Sequence, residues 1–140
     1  MSVIDGNGLT LGRLASHVAE KLLAGETINL VNSEKVILSG RKEVVIGRFR
    51  RRINLRYKGN PFRGPKFPKM PHMLVKKSIS GMLPSKTPRG RNALKRLKCF
   101  IGVPSEFSKA RLETIEEAKK KFVTSVTSVE ELCRALGANW

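Results

Sequence analysis

One 60-residue stretch of this 140-residue chain carries nearly all of its charge imbalance. Residues 41–100 contain 19 of the 28 lysine and arginine residues and a single acid, Glu43, while the segments on either side are close to neutral. We call residues 41–100 the basic block. Such a block repels itself unless an anion neutralises it. Nucleic acid is the usual partner, and an anionic membrane surface is the less favoured alternative.

Composition limits the other classes of protein. The chain has the length of one domain, and 40% of its residues are apolar, so a packed core is expected. With glycine left out, no uninterrupted apolar run exceeds three residues, which argues against a membrane span or a signal peptide. Cys99 and Cys133 cannot form a disulfide framework or a Cys-x-x-Cys metal site. These features predict an intracellular protein in a reducing compartment.

The first 31 residues predict a strand, a helix and a second strand. Ser2–Asp5 and 27–31 are rich in β-formers, and a further strand is predicted at 35–39. The helix ends at Gly25, a typical C-terminal cap. This order predicts a right-handed βαβ unit with parallel strands. The apolar side chains of the helix share one face: Leu11, Leu14, Ala15, Val18, Ala19, Leu22 and Leu23.

The remainder of the chain predicts further short elements. In the basic block we expect helices at 41–58, 72–83 and 89–98, with a 14-residue loop at 59–72 and a strand at 99–103. The inward face of the first of these helices consists of Val45, Ile46, Phe49 and Ile53. Two capping-box signatures predict two C-terminal helices: Thr114 with Glu117, and Ser128 with Glu131. In the second, Cys133 falls on the apolar face.

The glycines Gly6, Gly8 and Gly12 permit two interpretations. Between a strand and a helix they could admit a dinucleotide pyrophosphate, with Glu34 as the acid that binds the ribose. The spacing is one residue longer than the usual fingerprint, so a tight structural turn is favoured. His17 is predicted to be solvated or to face a partner, and His72 to support a helix start or contact a phosphate. No cluster has the spacing of a catalytic or metal site, so no enzyme activity, cofactor or metal is predicted.

The loop at 59–72 has a period of three. Its prolines and its cations each recur every third residue, which is the repeat of a polyproline II helix. A stiff cationic ribbon can enter a groove at low entropic cost, with Phe62 and Phe67 free to stack on bases or to dock on the domain. A flexible linker is the alternative. The residues in register are Pro65, Pro68 and Pro71, and Arg63, Lys66 and Lys69.

The segment from Gly81 to Lys98 adds a second cationic surface. Leu94, Leu97 and Ile101 are expected to face inward, while Arg91, Lys95 and Lys98 line the opposite face of one helix. The glycines here would let the chain approach a phosphate backbone closely. The predicted nucleic-acid-binding residues are therefore Arg41, Lys42, Arg48, Arg50, Arg51, Arg52, Arg56, Lys58, Arg63, Lys66, Lys69, Lys76, Lys77, Lys86, Arg89, Arg91, Lys95 and Lys98.

Two segments in this order resemble one known family. The first runs from Val3-Ile4-Asp5-Gly6 to Ser16, and the second from Gly81-Met82-Leu83-Pro84 to Lys98. Together with Asn32, Ser39-Gly40 and Gly102-Val103-Pro104, they are similar to the thirteenth large-subunit ribosomal protein family over residues 3–104. The loop Arg63-Gly64-Pro65 resembles the archaeal and eukaryotic-cytosolic branch. The lack of a long basic C-terminal extension favours an archaeal type.

The resemblance implies a three-layer α/β/α domain with a short, mainly parallel four-stranded sheet and a basic helix-loop block. It implies one domain over 1–140, with a C-terminal helical tail at 105–140, in the cytoplasm on the ribosome. The expected role is a structural constituent of the large subunit that binds and stabilises folded ribosomal RNA early in assembly. The third large-subunit protein is expected as a neighbour. Neither a membrane nor a small-molecule substrate is expected as a partner. A nucleotide-dependent enzyme and a DNA-binding regulator remain the alternatives.

Overall fold

The computed structural model describes residues 1–108, 110–119 and 125–140. Four parallel strands form the main sheet: β1 (Ser2–Asp5), β2 (Ile28–Val31), β4 (Leu97–Cys99) and β5 (Leu112–Glu113), in the order β4-β2-β1-β5. An antiparallel pair joins β3 (Ile37–Ser39) to β6 (Val126–Ser128). The helices are α1 (Leu11–Ala24), α2 (Lys42–Asn54), α3 (Pro71–Met82), α4 (Pro88–Lys95) and α5 (Val129–Ala135). The predicted α/β fold with a four-stranded parallel sheet is confirmed.

The βαβ prediction for the first 31 residues is also confirmed. β1 pairs with β2 in parallel, with Ile4 opposite Leu30, and both side chains are fully buried. Between them, α1 buries its predicted apolar face and ends at Gly25, whose φ of +106° lies in the left-handed region. Helix α1 also packs against α3. Burial of several full aliphatic side chains, at about 1.5–3 kcal/mol each, makes this the centre of the core.

The strand boundaries around β3 and β4 differ from the prediction. The strand expected at 35–39 is shortened to Ile37–Ser39, and it pairs with β6 instead of joining the main sheet. The helix expected at 89–98 ends at Lys95, and the strand expected at 99–103 begins instead at Leu97. The amide N–H of Ile28 donates to the carbonyl of Arg96 (3.1 Å), so pairing with β2 takes over where the helix stops. Long-range pairing thus overrides the local helical pattern.

The C-terminal tail contains one of its two predicted helices. The helix signalled by Thr114 and Glu117 is wrong over the described residues, because Glu116–Ala118 forms only a 3₁₀ turn and Lys119 then forms a β-bridge with Leu9. The rest of that prediction, residues 120–124, lies outside the described residues. The second helix, α5, is confirmed, with the Ser128 hydroxyl accepting from the Glu131 amide (3.1 Å). Cys133 is fully buried, as predicted.

Polar side chains on the outer face of α1 tie this tail to the core. His17 lies 3.0 Å from the Glu117 carboxylate, and Lys21 lies 3.1 Å from that of Glu113. The Arg13 guanidinium adds a 3.4 Å hydrogen bond to a tail carbonyl. His17 is half-exposed on the polar face of α1, in agreement with a solvated position, and its contact is with a carboxylate of its own chain. His72 lies in the first turn of α3, where its buried Nδ1 has no hydrogen-bond partner among the described residues, so its support of the helix start stays a prediction.

Gly90 lies where two parts of the chain touch. A Cβ atom added to this residue would collide with the carbonyl oxygen of Pro84, so only glycine fits without movement of the backbone. Thr87 caps α4 there, since its hydroxyl accepts from the Gly90 amide (3.4 Å) and donates to the Pro84 carbonyl (3.0 Å). The close approach that this glycine permits is to its own chain and not to a phosphate.

Among the described residues, no helix combines the length and the apolar character needed to cross a membrane.

The Gly90 contact gives a direct test of this packing. Gly90→Ala should lower the free energy of unfolding by about 2 kcal/mol or more, because the methyl group must displace the Pro84 carbonyl. Gly81→Ala in α3 is the matched control, since no atom lies within 4 Å of the added Cβ. It should change stability by no more than about 1 kcal/mol, in the stabilising direction. Urea unfolding of both variants measures the difference, and equal midpoints would contradict the packing described.

Burial predicts the chemistry of both cysteines. Removal from water raises the pKa of Cys99, and that of Cys133, from 9.0 to about 12. At pH 8.5 the native thiols are therefore almost fully protonated, whereas thiols in the unfolded chain are partly ionised and reactive. Iodoacetamide should alkylate both cysteines at least about tenfold faster in urea than in the native protein. Equal rates, followed by mass spectrometry of each cysteine peptide, would show that these thiols are not shielded.

Candidate nucleic-acid interface

The cations of the basic block lack acidic partners. Among residues 1–108, 110–119 and 125–140, only Lys42 of the block forms an ion pair, with Glu131 at 3.7 Å. The other four ion pairs of these residues lie in the segments before and after the block. The fold thus neutralises its flanks internally and leaves the block with a large uncompensated positive charge.

Helix α2 presents arginines outward by means of a narrow apolar face. Val45 is buried, and Ile46, Phe49 and Ile53 are half-buried against the core, as predicted. The arginines between them are exposed, and Gly47 does not break the helix. The half-buried side chains therefore fix the direction in which the guanidinium groups point.

Open clefts around α2 bring six of the predicted cations close together. Arg48 and Arg52 line a cleft of about 600 Å³ shared with the N-terminus of α1 and with α3. They also line, with Arg51, a cleft of about 580 Å³ along α2 itself. Two more clefts lie under the loop at 55–70. We call the cations of these clefts the basic surface: Arg48, Arg51, Arg52, Arg56, Lys66 and Lys77.

The other predicted cations lie elsewhere. Lys42 and Arg50 face α5, where Arg50 donates to the Ala135 carbonyl (3.4 Å). Lys98 is on β4, so the helical row that it was expected to form with Arg91 and Lys95 is wrong. Lys76 is half-buried near Cys99. The remaining ones are exposed along the chain: Arg41, Lys58, Arg63, Lys69, Lys86, Arg89, Arg91 and Lys95.

The proline loop is shorter than predicted. Pro71 is buried as the first residue of α3, so it does not belong to a ribbon with Pro65 and Pro68. A proline suits that position because its missing N–H would have no partner there. The two phenylalanines of the loop behave differently: the Phe62 ring is 89% exposed, whereas Phe67 is half-buried against α2 and α3.

The turn Gly6-Asn7-Gly8 is structural. Each amide from Gly6 to Thr10 donates to an oxygen of this chain, so these N–H groups are not available to a pyrophosphate. Gly8 has a φ of +70°, and a Cβ at Gly6 would lie 2.9 Å from Val36. The carboxylate expected to bind a ribose, Glu34, instead accepts from the Gly102 amide (3.0 Å). The nucleotide-site interpretation is not supported by this geometry.

One of the two clefts under the loop at 55–70 is a small cavity that sequence reasoning did not predict. It is lined by Phe49, Phe67 and Leu74 together with Gly81 of α3, and it has a volume of about 250 Å³. The only signal for it in the sequence is a glycine near the end of a helix. No group of three or more His, Cys, Asp or Glu side chains within the described ranges could hold a metal ion.

Comparisons with known proteins agree with the ribosomal resemblance. The model of the family "Ribosomal protein L13" matches residues 1–106. The chain is similar to the large ribosomal subunit protein uL13 of Methanosarcina barkeri, with 42% identity over all of both chains. The uL13 proteins of Picrophilus torridus and Methanosphaera stadtmanae are 41% and 36% identical, over 100% of this chain and 99% of each relative.

The family match covers about three-quarters of the chain, and the relatives extend the similarity through the tail. They also come from archaea, in agreement with the branch indicated by the loop residues. On this evidence the chain belongs to the ribosomal protein L13 family and is of the archaeal type.

Proposed function

We propose that this chain binds folded large-subunit ribosomal RNA through its basic block and stabilises it as a structural part of the subunit. The observation that carries the proposal is the uncompensated charge of the block, in which one of 19 cations has a carboxylate partner among the described residues. Binding to phosphates would release the counterions that these side chains and the RNA otherwise hold.

The geometry favours recognition of RNA shape. The arginines of the basic surface project from α2, which half-buried apolar side chains hold in place. Guanidinium groups can contact phosphate oxygens in bidentate fashion, and a rigid helix sets the distances between them. Helical RNA exposes its phosphates and a shallow minor groove more readily than its base edges. The block should therefore position the protein on a folded RNA site with little reading of paired sequence.

Family membership supports finer parts of the proposal. The chain acts on the cytoplasmic ribosome, as one domain over 1–140, without catalysing a reaction. It joins the RNA early in subunit assembly and lies beside the third large-subunit protein. Residues 41–100 supply the RNA-binding block, and the tail at 105–140 supports it.

The salt dependence of binding tests the basic surface. Arg48, Arg51 and Arg52→Ala together should make the log–log salt slope for archaeal large-subunit ribosomal RNA shallower by about two to three units, since each lost phosphate contact contributes roughly 0.9. Filter binding over a series of KCl concentrations measures the slope. Thermal unfolding should show that the variant remains folded.

A matched variant separates placement of charge from its amount. Lys21, Lys119 and Arg134→Ala also removes three positive charges, but each of these side chains pairs with a carboxylate outside the block. Its slope should move by less than about one unit. If the two variants shift the slope equally, net charge alone drives binding and the assignment of the surface is wrong.

The loop at 55–70 should be protected by RNA. Most of its side chains are exposed, and few apolar residues anchor it to the core. Trypsin should therefore cut at Lys58 or Arg63 in the free protein, and the cut should disappear when ribosomal RNA is bound. The exposed Arg134 in the last turn of α5 serves as the internal control. Loss of cutting there as well would indicate general shielding, and unchanged cutting of the loop would place it away from the RNA.

A further inference from the structure

The cavity beside the basic surface has the walls of an aromatic slot. The Phe49 ring of α2 and the Phe67 ring of the loop both line it, Pro68 lies beside Phe67, and the buried Leu74 contributes from α3. We propose that this cavity binds one unstacked base of the RNA, seated among the two phenylalanine rings. The inference rests on the proposed function and names what the basic surface holds besides phosphates.

The charges at the mouth of the cavity fit a nucleotide. Arg52 and Lys77 also line it, and the Arg52 guanidinium carbon lies 5.6 Å from the centroid of the Phe49 ring. An apolar slot with cations at its rim suits a flat aromatic group that carries anions next to it. A base flanked by its two phosphates has this chemistry. An aliphatic side chain of a protein partner would leave the rim cations without a counter-charge.

Gly81 supplies a second, independent indication. Its φ does not lie in the left-handed region, and no atom lies within 4 Å of an added Cβ, so neither the turn nor the packing of this chain requires glycine. Glycine is also an unfavourable residue in a helix. This is the opposite of Gly90, where the chain itself fills the space. Because Gly81 lines the cavity and carries no side chain, this part of its wall stays open.

The surrounding surface indicates how a base would reach the slot. Arg52 lines this cavity as well as the two larger clefts along α2. A strand whose phosphates follow the arginines of α2 therefore passes the mouth of the slot. A base that is not paired, in a bulge or a loop, can turn into it, whereas a paired base cannot without opening the duplex.

Binding of two RNA probes to the full chain tests the inference. One probe is a fully paired RNA duplex of about 20 base pairs, and the other is the same duplex with one unpaired nucleotide, prepared with each of the four bases. The wild type should bind the bulged duplexes at least about fivefold more tightly, with little dependence on the base, because every base has a face that stacks.

Gly81→Leu should abolish this preference by filling the slot without changing the charge. Its affinity for the paired duplex and its salt slope should stay at the wild-type values. Gly47→Leu is the control for the slot itself, since Gly47 is also an exposed helical glycine with open space around it, but it lines the cleft along α2 and not the slot. It should retain the preference for the bulged duplex.

A second pair of variants keeps the test independent of the folding of Gly81→Leu. Phe67→Ala should lose the preference, whereas Phe62→Ala, whose ring lies outside the slot, should keep it. Equal binding of both probes by the wild type, with a normal salt slope, overturns the base slot and leaves the proposed function intact. Binding of neither probe, nor of ribosomal RNA, overturns both.

Discussion

The shortage of carboxylates between residues 41 and 100 shapes the whole molecule. Because this block cannot neutralise its own cations, it spreads them over exposed faces, and α2 keeps only a narrow apolar contact with the core. In α2, a 13-residue helix, Val45 is the single buried residue. Helix α2 therefore depends on a core that other elements supply, which includes Ile4 and Leu30 of the main sheet and Leu74 and Ile79 of α3 in the same block.

The distribution of ion pairs follows the same constraint. The tail from 105 onward carries acids, and it pairs two of them with His17 and Lys21 of α1 and one, Glu131, with Lys42 of α2. Exposed pairs of this kind contribute little to stability individually. Their effect is on the charge pattern: the flanks are close to neutral, so the positive potential concentrates on one surface. A more even distribution of the acids would weaken the attraction of RNA to that surface.

Glycines in this fold serve three different physical purposes. Gly8 and Gly25 adopt left-handed backbone conformations that other residues rarely tolerate. Gly6 and Gly90 sit against neighbouring atoms that a methyl group would strike. Gly81 meets neither condition, and it borders an apolar slot in a cationic surface. Backbone angle and local space separate these cases, although the residue type is the same in all of them.

The amino-acid sequence by itself determined two kinds of feature. The first kind follows from the local spacing of apolar and capping residues, and the second from the number of charged residues in each segment. The α1 face, the βαβ unit, the inward side of α2 and the capping of α5 at Ser128 all follow from short-range spacing and β-forming composition, so they were predictable. The location of the excess charge was equally plain, because it needs only a count along the chain.

Tertiary structure alone decided what depends on partners distant in the chain. Pairing with β2 makes Lys98 part of a strand and so ends α4 before it, and pairing with β1 makes residues 112–113 a strand. The contact between His17 and the Glu117 carboxylate joins residues 100 positions apart in the sequence. Whether a cation of the block joins the basic surface or faces α5 also depends on how α2 is rotated against the core. Gly81 and Gly90 show the same limit, because the space around a glycine is set by side chains and carbonyls that only the folded chain brings together.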